Sequence, residues 1–292
     1  MTPPLSAAID GFRLAYDDSG AGAPVVLLHG WPGDRSDFRA VVASLEGAVR
    51  AIVPDLRGFG DSDRHPEDPR TAYSAAAQVT SVLGLLDELG VERAVFGGYD
   101  IGSRLIQHLL AAAPERVVAA VLTPPLPGAG ERLLDPGVQS EYWYQALHRL
   151  PLADELLDGD RTALAPYLRH IWTHWSGPTP AIGTADLEEL IDRYARPGAF
   201  ASSIGWYRSR VGSAGSARAE TPPDHRVAHP LTVLWPESDP LFPLAWSDRL
   251  REWYADVRVV PVAGGHFVPR QASEEFAGAL LAHLIPTDRN AP

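Results

Sequence analysis

The chain has 292 residues, of which 45% are hydrophobic and 21% are charged, and it therefore suits one large globular domain or a domain with an insertion. Its net charge of −12 argues against nucleic acid and against anionic membrane surfaces as partners. No apolar run approaches the roughly 18 residues needed to span a bilayer. Without cysteine there is neither a disulfide nor thiolate chemistry.

The first residues carry neither the basic segment nor the apolar segment of a signal peptide. Together with the lack of cysteine, this favours the cytoplasm as the location. We expect a small-molecule substrate, no nucleic-acid or membrane partner, and no cofactor or metal ion. A homodimer is left open.

Short apolar runs alternate with amphipathic segments in the first part of the chain. The runs predict strands at 12–16, 24–29, 50–54, 94–98 and 117–122. The segments between them predict helices at 36–45, 72–89 and 101–113. Such alternation is typical of an α/β fold in which a mostly parallel sheet is flanked by helices.

A stretch rich in proline and glycine, TPPLPGAGERLLDPG at 123–137, interrupts this alternation. Residues 137–210 have a helical pattern without a good strand, and residues 211–230 suggest a polar, flexible return. Strands are predicted again at 231–235 and 257–262. We therefore expect an α/β core at 1–128 and 226–292, with an all-helical cap at 129–225 inserted between two strands.

An unusual turn follows the predicted strand at 94–98. The sequence GYDIG places Asp100 at the centre of a strand-to-helix elbow, where a serine nucleophile usually stands. Alone, a Gly-x-Asp-x-Gly motif is more often an ordinary turn. A carboxylate, however, is already ionised at neutral pH and can displace a leaving group from an sp3 carbon, which forms an ester.

Two backbone amides are candidates for an oxyanion hole beside this turn. The motif HGWPGD follows the predicted strand at 24–29 and could direct the Trp31 N–H at the site. Ile101 begins the helix after the elbow, where unpaired amides and the helix dipole favour negative charge.

An acid and a histidine follow the last two predicted strands. Asp239 lies in WPESDPLFP, just after the strand at 231–235, and His266 lies in VAGGHFVP, after the strand at 257–262. Neither motif is specific by itself. The order nucleophile, acid and histidine, each behind its own strand, is that of the α/β-hydrolase fold. Ligands bind at this edge of open α/β sheets.

One pair of histidines in the predicted cap has the spacing of two metal ligands on a helix. His170 and His174 are four residues apart, but Ile171 replaces the glutamate of a His-Glu-x-x-His motif. No third ligand suggests itself. We interpret the pair as packing or surface residues.

Along essentially its whole length the sequence resembles the epoxide hydrolase branch of the α/β-hydrolase superfamily. The matching motifs are HGWPGDRSDF, PDLRGFGDSD, GGYDIGS, YWYQ, IGWYR, ESDPLFP and GGHFVP. The resemblance implies that Asp100 is the nucleophile, that His266 is the base and that Asp239 orients it. It also implies that the backbone amides of Trp31 and Ile101 are the oxyanion donors. The expected reaction is hydrolysis of an epoxide to a vicinal diol through an ester on the nucleophile.

The resemblance also implies two cap tyrosines that hold the epoxide oxygen. By motif these are Tyr144 and Tyr207, with Tyr142 as the rival of Tyr144. In a continuous helix, Tyr142, Trp143 and Tyr144 cannot all point one way, and we expect only one of them to face the pocket. Neutral phenols suit this role because opening an epoxide releases an alkoxide, which needs a hydrogen-bond donor or a proton.

Dehalogenases with the same aspartate nucleophile are the alternative. They release halide, which needs no proton. Haloalkane dehalogenases typically have a tryptophan after the nucleophile, where this chain has Ile101. Fluoroacetate dehalogenases carry an arginine pair after the nucleophile, and only the second position, Arg104, is matched. A third alternative, an inactive binding protein, predicts a missing triad member, and none is missing.

The predicted pocket departs from the family pattern next to the nucleophile. The family commonly has histidine before it, where this chain has Tyr99. We expect the substrate pocket to be lined by a set of aromatic residues and one arginine, namely Trp143, Tyr142, Tyr99, Arg104, Trp172 and Trp175.

Overall fold

The computed structural model describes residues 3–45, 47–210 and 212–285. A seven-stranded sheet forms its centre, with the order β1-β3-β2-β4-β5-β6-β7. β1 pairs antiparallel with β3, and the other described pairs are parallel. The strands are β1 Tyr16–Gly20, β2 Ala23–Leu28, β3 Val49–Pro54, β4 Ala94–Gly98, β5 Val117–Leu122, β6 Leu231–Pro236 and β7 Val257–Val262.

The central strands are buried almost throughout. In β4 and β6 every residue is buried, and in β2 the buried run is Val-Val-Leu-Leu. Because helices cover both faces, these strands have continuous apolar runs instead of alternation. Each fully buried valine, leucine or phenylalanine side chain contributes about 1.5–3 kcal/mol. This confirms the predicted mostly parallel sheet.

The first predicted strand was misplaced. Residues 12–16 bury Phe12, Leu14 and Ala15 but form only isolated bridges, whereas the strand itself begins at Tyr16. β1 is an edge strand with mostly exposed side chains, so its pairing with β3 leaves no apolar pattern in the sequence.

Helices connect the strands and cover the sheet. The predicted helices at 36–45, 72–89 and 101–113 are confirmed, the second with a break at Tyr73 and Ser74. The helices of the core are α1 Arg39–Ser44, α2 Pro69–Ala72, α3 Ala75–Glu88, α4 Ile101–Ala112, and, near the carboxyl terminus, α13 Val268–Gln271 and α14 Ser273–Ala282. None of the described helices is both long and apolar enough to cross a membrane.

The segment between β5 and β6 is helical, and its described part contains no strand. This agrees with the helical pattern of 137–210. Its helices are α5 Pro136–Glu141, α6 Trp143–His148, α7 Leu152–Leu157, α8 Arg161–Trp175, α9 Thr184–Tyr194, α10 Ala199–Ser203, α11 Gly205–Arg208 and α12 Ser213–Ala219.

The predicted flexible return at 211–230 was wrong in its first part, because Ser213–Ala219 forms α12. This helix packs against a 3-10 helix at Gly130–Leu134. Glu220, which follows it, accepts hydrogen bonds from the backbone of Gly128 and Gly130. The end of the helical segment is thereby tied to its beginning.

Candidate active site

Asp100 lies at the sharp turn between β4 and α4. Its backbone has a φ of +50° and a ψ of −116°, a conformation that costs about 1–3 kcal/mol for a residue other than glycine. Two glycines allow this close packing: a Cβ at Gly102 would collide with the Leu28 carbonyl, and a Cβ at Gly30 would collide with the Asp100 side chain. The strained elbow predicted from the sequence is therefore present.

The elbow lies at the point of the sheet where successive strands are added on opposite sides of β2. β2 has β3 on one side and β4 on the other, so the loops after β2 and β4 diverge at the carboxyl edge. Such a point is the usual ligand crevice of an open α/β sheet. Asp100 is therefore placed where a substrate can reach it.

The two backbone N–H groups predicted to form the oxyanion hole, those of Trp31 and Ile101, differ in their contacts with Asp100. The Trp31 N–H donates to Asp100 Oδ1 at 2.9 Å. Ile101 is the first residue of α4, so its N–H has no partner within the helix, nor among the other described residues. One amide already binds the carboxylate, and the second is available for negative charge on it.

His266 joins the two carboxylates. Its Nδ1 lies 2.8 Å from Asp239 Oδ2, and Asp239 Oδ1 accepts a hydrogen bond from the Leu241 N–H at 2.8 Å. Its Nε2 lies 3.4 Å from Asp100 Oδ2 and, within the described structure, is buried without a hydrogen-bond partner. The imidazole is thus oriented by one aspartate and faces the other.

The two carboxylates hold a proton on this imidazole. Burial alone would lower the pKa of His266, but the charges of Asp239 and Asp100 outweigh it and raise the pKa to about 10. At neutral pH the ring is therefore charged. Neutralising Asp100 would remove one of the two attractions and make the proton easier to release.

A cavity of about 70 Å³ opens at Asp100. It is lined by Asp100, Ile101 and Arg104 from the core, and by Tyr142, Tyr144 and Tyr207 from the helical segment. Burial raises the pKa of Tyr144 and of Tyr207, and the Asp100 carboxylate raises each further, so both phenols stay protonated. The cavity therefore offers neutral O–H donors opposite a carboxylate.

Trp31 connects the carboxylate with these tyrosines. Its indole stacks on the Tyr144 ring at 5.9 Å with an interplanar angle of 1°, and meets the Tyr207 ring edge-on at 5.9 Å. The two tyrosine rings are perpendicular and 5.6 Å apart. One residue thus holds Asp100 through its backbone and packs against the phenol pair through its side chain.

Tyr142 and Tyr144 both line the cavity, so the expectation that only one of the three aromatic residues faces it was wrong. The reason is a break in the helix: α5 ends at Glu141 and α6 begins at Trp143, which places Tyr142 between them. The Tyr142 hydroxyl donates to the Leu241 carbonyl at 2.8 Å. The Tyr144 hydroxyl accepts from Gln145 Nε2 at 3.3 Å.

Comparison with known proteins identifies the family. The family model of the alpha/beta hydrolase fold matches residues 23–269. Epoxide hydrolase A of Mycobacterium tuberculosis (strain ATCC 25618 / H37Rv) is 30% identical over 97% of this chain and 98% of its own length. The chain belongs to the α/β-hydrolase family, in its epoxide hydrolase branch.

Two further relatives extend the comparison. The soluble epoxide hydrolase of Corynebacterium sp. (strain C12) is 38% identical, in a match that spans 33% of this chain and only 32% of that protein. The solved structure of epoxide hydrolase CorEH is 25% identical, with a TM-score of 0.81 over 98% of this chain and 99% of the other. The similarity to this α/β-hydrolase branch thus covers both the sheet and the helical segment.

Several predicted pocket residues of this α/β-hydrolase do not line the cavity. Trp143 is 41% exposed, because it points away from Tyr142 and Tyr144, and its ring packs near Tyr167 and His170. Tyr99 is fully buried next to Asp100, and its hydroxyl donates to Asp37. Both were wrong as pocket residues.

Two tryptophans of the helical segment, Trp172 and Trp175, are packing residues. Trp172 stacks on Phe267 with ring centroids 3.8 Å apart. Trp175 packs against the rings of Tyr144 at 4.9 Å and His266 at 5.2 Å, so it supports the site from behind. Neither lines the cavity, whereas the predicted Arg104 does.

Some residues of the site were not predicted. Arg210, Trp206 and Phe242 line the cavity, and His148 packs against the rings of Trp31 and Tyr207. The signal for Arg210 and Trp206 was their position in the run WYRSR that contains Tyr207. Phe242 lies three residues after Asp239, so the acid loop itself could have suggested it.

The histidine pair of the helical segment is not near the cavity lining. His170 and His174 stack at 5.7 Å, and His174 Nε2 bonds to Glu141 Oε2 at 2.7 Å. Within the described residues there is no cluster of three or more side chains that could hold a metal ion. The interpretation as surface residues suits this arrangement.

Proposed function

We propose that the protein hydrolyses an epoxide to a vicinal diol through a covalent ester on Asp100. The observation that carries the proposal is one cavity in which Asp100 faces two neutral tyrosines, Tyr144 and Tyr207. The nucleophile supplies what carbon substitution needs, and the phenols supply what an alkoxide leaving group needs. The substrate is a small molecule.

The first step is opening of the ring. Asp100 Oδ1 is held by the Trp31 N–H, so the free oxygen, Oδ2, attacks an epoxide carbon. The C–O bond of the ring breaks, and its electron pair stays on the epoxide oxygen. Tyr144 and Tyr207 stabilise this charge with hydrogen bonds directed at it. The product is an ester between Asp100 and the substrate.

The second step is hydrolysis of that ester. Once Asp100 is esterified it no longer carries charge, and His266 loses the attraction that kept its proton. That proton passes to the alkoxide, directly or through a water molecule, which gives the hydroxyl group of the ester intermediate and a neutral imidazole. The neutral imidazole then takes a proton from a water molecule, which attacks Cγ of Asp100. The oxyanion forms at Oδ1, beside the Trp31 and Ile101 amides. The diol leaves, and one oxygen of the water remains in the Asp100 carboxylate.

The helical segment contributes the half of the site that selects the leaving group. Both tyrosines come from it, whereas Asp100, His266 and Asp239 follow strands of the sheet. We therefore divide the chain into a core at 1–128 and 226–292 and a cap at 129–225.

Haloacid or haloalkane dehalogenation is the second candidate, because it uses the same nucleophile. Arg104 lines the cavity and favours a haloacid, whereas the Ile101 side chain lacks the indole N–H with which a tryptophan would hold halide. Two buried phenols at the leaving-group side favour the epoxide, since halide needs no proton. An inactive binding protein is disfavoured by a complete triad.

Trapping of the ester tests the proposal. In His266→Gln the first step can occur and the second cannot, so we expect the protein mass to rise by one substrate when an epoxide is added. Asp100→Asn is the matched control and should not gain mass. The epoxide hydrolase proposal would be refuted if none of a panel of epoxides changed the mass of His266→Gln. If a haloacid increased that mass, the result would support dehalogenase activity instead.

A further inference from the structure

Three arginines line the cavity, of which Arg149 is exposed whereas Arg104 and Arg210 are partly buried. Arg104 comes from α4, one turn after the nucleophile, and Arg210 comes from the helical segment, just after α11. In the described part of the chain neither guanidinium forms an ion pair with a carboxylate. Arg104 Nη1 donates to Gln107 Oε1 at 3.1 Å, but its Nε is buried without a partner. The Arg210 guanidinium lies over the Trp206 ring at 4.8 Å.

Several other partly buried arginines of this protein are paired with carboxylates. The chain has 37 acidic residues and 25 basic ones, and arginines elsewhere, such as Arg35, Arg208 and Arg270, have carboxylate partners. A buried charge without a partner is unfavourable by several kcal/mol. Burial lowers the pKa of Arg104 and that of Arg210, the latter to about 10, so both are still charged at neutral pH.

The nearby carboxylates do not neutralise the two arginines. Glu220 is engaged with the backbone of Gly128 and Gly130. Asp100 is held by the Trp31 amide and faces His266. Beside the exposed Arg149, the cavity therefore contains two partly buried positive charges without an ion pair, Arg104 and Arg210, within electrostatic reach of Asp100 but not bonded to it.

The size of the cavity limits what can bind there. Its 70 Å³ has room for about five to seven waters, at roughly 10–15 Å³ for each, and the cavity is partly open to solvent. A substrate that lies wholly within this space has only a few carbon atoms. An anionic group on so short a molecule would lie close to the epoxide and close to both arginines.

We propose that the substrate is a short-chain epoxide that carries an anionic group, bound between Arg104 and Arg210. The small volume favours a carboxylate over a phosphate. The inference rests on the proposed function insofar as Asp100 attacks the substrate. The protein as a whole has a net charge of −12 and repels anions, but the arginines make the cavity locally favourable for an anion.

The test compares charged and neutral substrates on the same protein. 2,3-Epoxybutanoate, its methyl ester and the phosphate ester of glycidol are assayed with wild type, Arg104→Met and Arg210→Met. Arg218→Met is the matched control, because Arg218 is exposed on α12 and does not line the cavity. The readout is the ratio of kcat/KM for the acid to that for the methyl ester, which does not depend on the folded fraction.

We expect wild type and Arg218→Met to prefer the acid by roughly 10-fold or more for each charged hydrogen bond. Each cavity variant should lose at least 10-fold of that preference, mainly through KM. Equal turnover of acid and ester by wild type, or an unchanged ratio in both variants, would overturn the proposal. A preference for the phosphate would assign that anion instead of the carboxylate.

The two proposals can fail separately. Turnover of chloroacetate but of no epoxide would refute the proposed function. The anion site would still be supported if Arg210→Met raised the KM for chloroacetate. If no substrate reacts, calorimetric binding of 2,3-dihydroxybutanoate decides. Binding that is weakened in both arginine variants supports the anion site, and no binding to wild type overturns it.

Discussion

His266 Nε2 lies 3.4 Å from Asp100 Oδ2, close to the carboxylate but without a hydrogen bond to it. The other nitrogen of the ring is bonded to Asp239. The imidazole therefore stands between two carboxylates, and in the proposed mechanism only the one on Asp100 loses its charge, when the ester forms. In the proposed mechanism this couples the protonation of the base to the state of the nucleophile.

A variant that imitates the ester should lower the pKa of His266. The free protein holds this pKa at about 10, partly through the Asp100 charge. In Asp100→Asn that charge is gone, so we expect a lower midpoint. NMR titration of ¹⁵N-labelled histidine in both proteins measures it. Equal midpoints would show that Asp100 does not control the proton.

The same shift predicts how stability depends on pH. The pKa of His266 is higher in the folded protein than the value of about 6.5 in an unfolded chain. Its contribution to the free energy of unfolding is therefore complete below pH of about 6.5 and is lost as the pH rises through about 10. Urea unfolding of wild type and His266→Gln should give a difference that shrinks over this range. A difference that grows with pH would contradict the shift.

The tyrosine pair should act on ester formation alone. Tyr144→Phe or Tyr207→Phe removes one donor directed at charge that develops in the transition state, at a cost of about 2–4 kcal/mol. Single-turnover kinetics should show slower ester formation and nearly unchanged ester hydrolysis. Tyr142→Phe is the matched control, since its hydroxyl is engaged with Leu241, and should slow the step much less. If Tyr144→Phe and Tyr207→Phe both formed the ester at the wild-type rate, the two tyrosines would only pack in the site and would not take part in the reaction.

Tyr99 should matter for stability more than for the rate. Its hydroxyl donates to buried Asp37, whose other oxygen accepts from Arg270 Nε at 2.7 Å. Tyr99→Phe leaves one oxygen of a buried carboxylate without a donor, which costs about 1–3 kcal/mol. Chemical denaturation measures the loss. An equally stable variant with a much slower rate of ester formation would assign Tyr99 to the chemistry instead.

Prediction from the sequence succeeded where a structural position admits only certain residue types. The buried strands β2, β4, β5 and β6 were found because both faces are covered, which leaves an unbroken apolar run. The elbow at Asp100 was found because only glycines fit beside it. Edge strand β1 was misplaced because its side chains are exposed, and α12 was missed because SAGSARA contains glycine and serines, which also suit a loop.

The direction of side chains in the helical segment could not be read in the same way. Trp143 was assigned to the pocket as if 142–144 lay in one helix, whereas a helix break at Tyr142 turns both tyrosines inward and Trp143 outward. Arg210 lies next to a polar stretch without periodicity, so only the fold brings it to Arg104. Such long-range proximity leaves no local pattern.

The central claim is that Asp100 itself becomes esterified and is then hydrolysed at its own Cγ. A single turnover in H2¹⁸O, with enzyme in excess over an epoxide that it hydrolyses, tests this directly. We predict that the peptide containing Asp100 gains ¹⁸O while the diol of that first turnover contains none from the solvent, because the diol oxygen comes from the carboxylate. Label in the first-turnover diol, with an unlabelled Asp100 peptide, would show direct attack of water on the epoxide and contradict the account.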